Sequence, residues 1–81
     1  MYCVYILRCA DGSLYTGIAR DADERLTVHN SGKGAKYTAS RRPVTIVYRE
    51  VAPTRGAALR RERQIKSCSR AEKETLVAGA A

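Results

Sequence analysis

The stretch from residue 2 to residue 19, YCVYILRCADGSLYTGIA, decides the fold. Its opening, YCVYILR (2–8), is apolar on both alternating faces and rich in β-branched and aromatic residues, the pattern of a central strand covered on two sides. ADGS (10–13) carries an Asp-Gly hairpin signal, and LYTGIA (14–19) reads as the returning strand. The length of the turn fixes the register. A two-residue loop, Asp11-Gly12, would pair Arg8 with Tyr15 and send Tyr5 and Tyr15 to opposite faces. A three-residue loop, Ala10-Asp11-Gly12 with Gly12 left-handed, pairs Leu7 with Tyr15 and Tyr5 with Gly17. Both tyrosines then share a face, with open space across from Tyr5 at Gly17. The second register is the one expected.

Outward from the hairpin, DADERLTVHN (21–30) reads as a helix. Asp21 and Glu24 stand at capping-box spacing, Ala22 and Leu26 form a short apolar stripe, and Gly32 follows as the stop. SGKGAKYTASRR (31–42) reads as a loop, and VTIVYREV (44–51) after Pro43 as a third strand. Thr54 caps a second helix over 54–67, and Ser69 caps a last one, RAEKETLVA, before a low-complexity AGAA tail. The order is β-β-α-β-α-α: an α+β sandwich with three strands flanked by helices, in one domain spanning 1–81.

The charge is uneven. The net charge is +7, yet residues 1–30 hold three Arg against four acids, so the whole excess lies in residues 31–81. Such asymmetry points to a polyanionic partner, nucleic acid first. A membrane surface is not expected: no basic segment has a bulky apolar face, and no apolar run approaches the roughly 20 residues of a span. Three cysteines, Cys3, Cys9 and Cys68, form no CxxC pair. With no signal peptide legible, the expectation is reduced thiols in a cytoplasmic protein. No oligomer interface is visible, which favours a monomer.

Within LRRERQIK (59–66), one carboxylate sits among four basic side chains. At about 100° per residue with Ala58 at zero, Ile65 falls at about −20° and Glu62 at about +40°, while Arg60, Arg61 and Arg63 point elsewhere. Glu62 thus lies in the helix's apolar stripe, where a carboxylate needs a partner. That partner is either a buried-edge arginine in a structural ion pair or something functional. On the first helix, Arg25 and His29 are four apart and share a face. A snorkelling arginine and a satisfied edge histidine would explain each singly. GKGAKYT (32–38) could wrap a phosphate with backbone N–H groups or be a solvated basic loop, and it is not a Walker loop.

Together these residues resemble a known family. VYI (4–6) and YTG (15–17) resemble the two halves of the GIY-YIG nuclease motif, followed in order by Arg25, His29 and Glu62. The whole chain is similar to the small single-domain bacterial branch of that superfamily, with NSGKGAKYT and LRRERQIK typical of it. The first half-motif lacks its glycine, the second lacks its isoleucine, and no C-terminal asparagine is present, Asn30 being the only asparagine.

The resemblance implies a three-stranded antiparallel sheet flanked by helices and metal-dependent hydrolysis of phosphodiester bonds. Glu62 would hold one divalent ion, Mg²⁺ or alternatively Mn²⁺. Arg25 would bind the scissile phosphate. Tyr5 or Tyr15, with His29, would help deprotonate the attacking water, for which the metal and Arg25 would have to lower a tyrosine pKa near 10. Lys33, Lys36, Tyr37, Arg41, Arg42, Arg61 and Lys66 are the expected nucleic-acid contacts. DNA is favoured, with RNA an alternative, and selection by shape rather than sequence. The competing reading is a nucleic-acid-binding module with this fold and little or no catalysis.

Overall fold

The computed structural model describes residues 1–79; Ala80 and Ala81 of the AGAA tail lie outside the described residues. The opening hairpin forms as β1 (Tyr2–Arg8) and β2 (Leu14–Ala19), and β3 (Thr45–Ala52) completes an antiparallel sheet in the order β2-β1-β3. The three-residue turn is the one adopted. Leu7 pairs with Tyr15 and Tyr5 with Gly17. Gly12 takes φ +86°, and its N–H closes the turn onto the Cys9 carbonyl at 2.9 Å. A side chain at Gly12 would be strained by that backbone.

Because β1 is central, its alternation divides the core in two. Val4 and Ile6 face Ala58 and Ile65 of α3 (Arg55–Lys66), with Leu76 and Val77 of α4 (Arg70–Gly79) packed beside them. Tyr5 and Leu7 face the opposite way, against Ala22 of α1 (Ala22–Asn30) and Val44, with Tyr15 and Leu26 alongside. Each fully buried aliphatic side chain contributes about 1.5–3 kcal/mol. The β1–β3 pairing carries a bulge: Ile6 pairs with Tyr48 but Leu7 with Ile46.

The caps follow the sequence. Asp21 accepts from Glu24 N–H at 3.1 Å, and Thr54 accepts from Ala57 N–H at 3.1 Å. Ser69 and Glu72 form a reciprocal box, Ser69 Oγ accepting from Glu72 N–H and Glu72 Oε1 from Ser69 N–H. Asn30 clamps the end of α1 to the lead-in of β3: its Oδ1 accepts from Val44 N–H at 2.8 Å and its Nδ2 donates to Val44 O at 3.0 Å.

One expectation fails. The segment 31–42 is not wholly loop, for Lys36–Ala39 forms a short helix, α2, and the order is β-β-α-α-β-α-α. A four-residue helix is too short to show a period, so nothing in the pattern announces it. Its Thr38 is fully buried.

Candidate active site

The site begins at Gly17. A Cβ built there would lie 2.6 Å from the Tyr5 hydroxyl and 2.7 Å from its Cζ. The expected open space is therefore filled by the Tyr5 ring, which lies across β2 over Gly17. Gly17 is what allows that crossing.

At its tip Tyr5 meets His29, the Tyr5 hydroxyl lying 3.0 Å from His29 Nε2. His29 is completely buried, and its Nδ1 lies 2.8 Å from Thr38 Oγ1. It is neither an edge histidine nor an orphan. Burial holds its pKa below the ordinary value, and the Arg25 charge lowers it further. Tyr15 lies edge-on to the same imidazole, with ring centroids 5.3 Å apart, and stacks on Tyr37 at 6.0 Å.

Arg25 lies beside the Tyr5 hydroxyl and favours its ionised form, but desolvation and the neighbouring Tyr15 outweigh it, and the Tyr5 pKa is pushed up to about 12. The lowered tyrosine pKa needed for direct action as a base is thus not a property of the protein alone. Among the described residues no ion pair engages Arg25.

Glu62 lies on α3, which covers the other face of the sheet; its charge adds only a small upward push to the Tyr5 pKa. Its side chain is 18% exposed, and its ion-pair partner is Lys66, one turn on, at 3.4 Å. The structural partner is therefore an exposed lysine rather than a buried-edge arginine. Arg61 instead pairs with Glu50 on β3 at 3.0 Å.

Among the described residues no three His, Cys, Asp or Glu side chains converge as a metal site. That donor set does not fit a closed cage such as structural zinc. A single carboxylate such as Glu62 suits instead a divalent ion that takes one or two carboxylates and completes its shell with water and substrate phosphate.

The remaining candidates divide by what already engages them. Lys33 and Lys36 are exposed and, among the described residues, without ion pairs. Tyr37 is 39% exposed, with the Arg41 guanidinium 3.9 Å from its ring centroid. Arg41 also pairs with Asp11 at 3.1 Å. Arg42 donates to the carbonyls of Ala39 and Asn30, bracing the loop. Part of the loop's backbone is already engaged: the N–H groups of Gly32, Lys33 and Thr38 are donated to carbonyls within 28–38, and that of Ala35 points at His29 Nδ1.

The sequence pattern singles out neither Thr38 nor the closeness of Gly34, where a Cβ would clash with His29 Nδ1. The glycine of GKGAKYT was the available signal. It marks a backbone pressed against a buried ring. A groove of about 690 Å³ between β3, α3 and α4 is lined by Tyr48, Arg61 and Leu76 among others and includes none of the five site residues.

A three-stranded antiparallel sheet with Tyr5, Tyr15 and Arg25 gathered about a buried histidine defines a class. The chain belongs to the GIY-YIG family, and the model of the GIY-YIG catalytic domain matches residues 1–75. It is 53% identical over 74 residues to the UPF0213 protein SSP2268 of Staphylococcus saprophyticus, covering 91% of this chain and 90% of that one. Two solution NMR structures share the fold. The UPF0213 protein BH0048 from Bacillus halodurans is 48% identical with a TM-score of 0.61, over 96% of this chain and 84% of that one. The protein EF2693 from E. faecalis is 42% identical with a TM-score of 0.65, over 96% and 83%. Among the described residues no helix is long and apolar enough to cross a membrane.

Proposed function

We propose that this chain, acting as one domain over residues 1–81, is a divalent-metal-dependent endonuclease that hydrolyses DNA phosphodiester bonds by recognising backbone shape. The observation that carries the reading is the buried Tyr5–His29 hydrogen bond beside Arg25, which among the described residues forms no salt bridge. A structural arginine at such a place would ordinarily have a carboxylate partner. An uncompensated guanidinium beside a proton-transfer pair suits a phosphate.

Glu62 would hold the cation, which when bound stabilises charge on the phosphate and promotes ionisation of the attacking water. Arg25 orients the scissile phosphate through its planar donors and offsets charge gathering on the non-bridging oxygens. Tyr5 is the proton carrier. Its oxygen receives a proton from the attacking water while its own proton passes to His29 Nε2. The water oxygen bonds to phosphorus and the bond to the leaving oxygen breaks. The high Tyr5 pKa keeps the phenol protonated near neutral pH, and the paired transfer to His29 avoids a free phenolate. Neutral His29 is the group able to take the proton, and its depressed pKa keeps it in that form near pH 7. Lys33 and Lys36, with Tyr37 at the rim, support backbone contact.

The test compares wild type with Glu62→Ala on single-stranded, duplex and branched DNA and on RNA, with Mg²⁺, Mn²⁺ or EDTA. Circular dichroism monitors both folds. Metal-dependent cutting by wild type, abolished in a folded variant, is expected. Binding without cutting by wild type would leave a nucleic-acid-binding module.

A further inference from the structure

We propose that Thr38 is a positioning residue that locks His29 into the tautomer with Nδ1 protonated, so that Nε2 is the bare nitrogen facing Tyr5. The inference rests on the proton-carrier role of Tyr5 and His29 given above, and its test reads the tautomer directly.

Two ends of one hydrogen-bond chain select the same arrangement. At the inner end, Thr38 Oγ1 donates its single proton to the Ala35 carbonyl at 2.9 Å. It can then only accept from His29 Nδ1, 2.8 Å away. A neutral imidazole has one N–H. Placing it on Nδ1 leaves Nε2 as acceptor. At the outer end, Tyr5 is 2% exposed, and among the described residues its hydroxyl has one hydrogen-bond partner, His29 Nε2 at 3.0 Å. Arg25 beside it can only donate. Arg25 cannot take the Tyr5 proton, which therefore has Nε2 as its destination.

The opposite tautomer would leave the buried Tyr5 proton without an acceptor, a costly arrangement. The one donor that would favour it, Ala35 N–H, is 3.5 Å from Nδ1, beyond the usual range for such a bond. The polarity of the whole chain runs outward to inward: Tyr5 to His29 to Thr38 to Ala35. Thr38 is fully buried, so water does not substitute for its hydroxyl. Gly34 presses the loop against the imidazole and fixes the distance at which Thr38 acts.

His29 is the only histidine, so its ring nitrogens can be assigned without ambiguity in ¹⁵N-labelled protein. Long-range ¹H–¹⁵N correlation spectra, recorded well above the pH at which the ring titrates, report which nitrogen carries the proton. Wild type should show Nδ1–H. Thr38→Val removes the hydroxyl at nearly constant shape and strips Nδ1–H of its acceptor, leaving only Tyr5 to select the tautomer, so a measurable Nε2–H fraction should appear. Thr38→Ser should restore Nδ1–H, and circular dichroism confirms that each variant is folded.

In cleavage assays kcat should fall in Thr38→Val in proportion to the lost tautomer, about tenfold if one molecule in ten keeps it, with KM unchanged and recovery in Thr38→Ser. A wild-type ring protonated at Nε2, or a folded Thr38→Val protein with an unchanged tautomer, would overturn the proposal. Absence of cleavage in wild type would instead refute the nuclease function, and the tautomer spectra would still decide the role of Thr38.

Discussion

Replacing Gly17 with alanine probes the contact on which the site is built. Backbone entropy alone favours the change: Gly→Ala at an ordinary φ stabilises by about 0.4–1 kcal/mol. Sterics oppose it. The new Cβ would sit 2.6 Å from the Tyr5 hydroxyl, about 0.8 Å inside the 3.4 Å at which ordinary contact begins. Tyr5 cannot simply swing away, because it is 2% exposed and held at 3.0 Å by His29. Overpacking of this kind costs about 1–3 kcal/mol, and breaking the buried Tyr5–His29 bond costs about 1–3 kcal/mol more. The net expectation is a loss of about 1–5 kcal/mol, seen in urea denaturation as a lower midpoint at unchanged slope. Displacing the Tyr5 oxygen by nearly 1 Å should also cut cleavage by about 100-fold. The control is the same change in a Tyr5→Leu background. Leucine ends short of the ring tip, so there Gly17→Ala should be neutral or slightly stabilising, and the double-mutant cycle isolates the contact. A Gly17→Ala protein as stable and as active as wild type would refute the reasoning.

Three further outcomes follow from the same geometry. Stability should fall with acidification below about pH 6.5. His29 has a depressed folded pKa, so the unfolded chain binds its proton first, and the stability present above the unfolded pKa is lost as pH drops toward the folded one. Thermal melts across pH 5–8 should show this slope in wild type and not in His29→Gln. The groups facing the ring that bear on the effect are Tyr5, Tyr15 and Arg25. Lys33→Ala and Lys36→Ala should each reduce the salt slope of DNA binding by roughly 0.7–0.9, measured by fluorescence anisotropy across salt concentrations. Arg61→Ala should leave that slope nearly unchanged and lower stability instead, since its guanidinium is committed to Glu50 at 3.0 Å.

Much of this architecture is legible in the residues, for physical reasons. The two-sided apolar pattern of 2–8 can only be satisfied between two layers, and the Ala10-Asp11-Gly12 turn sets which residues share a face. Both hold in the sheet. The helix caps at Asp21, Thr54 and Ser69 are local hydrogen bonds between near neighbours, so spacing alone reveals them. The wheel placed Ala58, Glu62 and Ile65 together, and Ala58 and Ile65 are fully buried with Glu62 beside them.

What the residues did not reveal depends on tertiary approach. Whether Arg61 meets phosphate or Glu50 is decided by the position of β3, which helical spacing does not encode. Thr38 lies in a helix too short to have a period, and its importance arises only when the loop folds back on His29, nine residues earlier. The β1–β3 bulge at Ile6/Leu7 likewise has no glycine or proline to announce it. For the site, the identities of Tyr5, Tyr15, Arg25, His29 and Glu62 came from a resemblance, and the geometry adds that Tyr5, not Tyr15, is bonded to the histidine.

The most direct test of Tyr5 as proton carrier is the metal-dependent cleavage rate of Tyr5→Phe against wild type under single-turnover conditions. The substitution keeps the ring over Gly17 and removes only the hydroxyl that touches His29. The expected rate is at least about 100-fold lower, with substrate affinity little changed. Cleavage by a folded Tyr5→Phe protein at the wild-type rate would contradict that role.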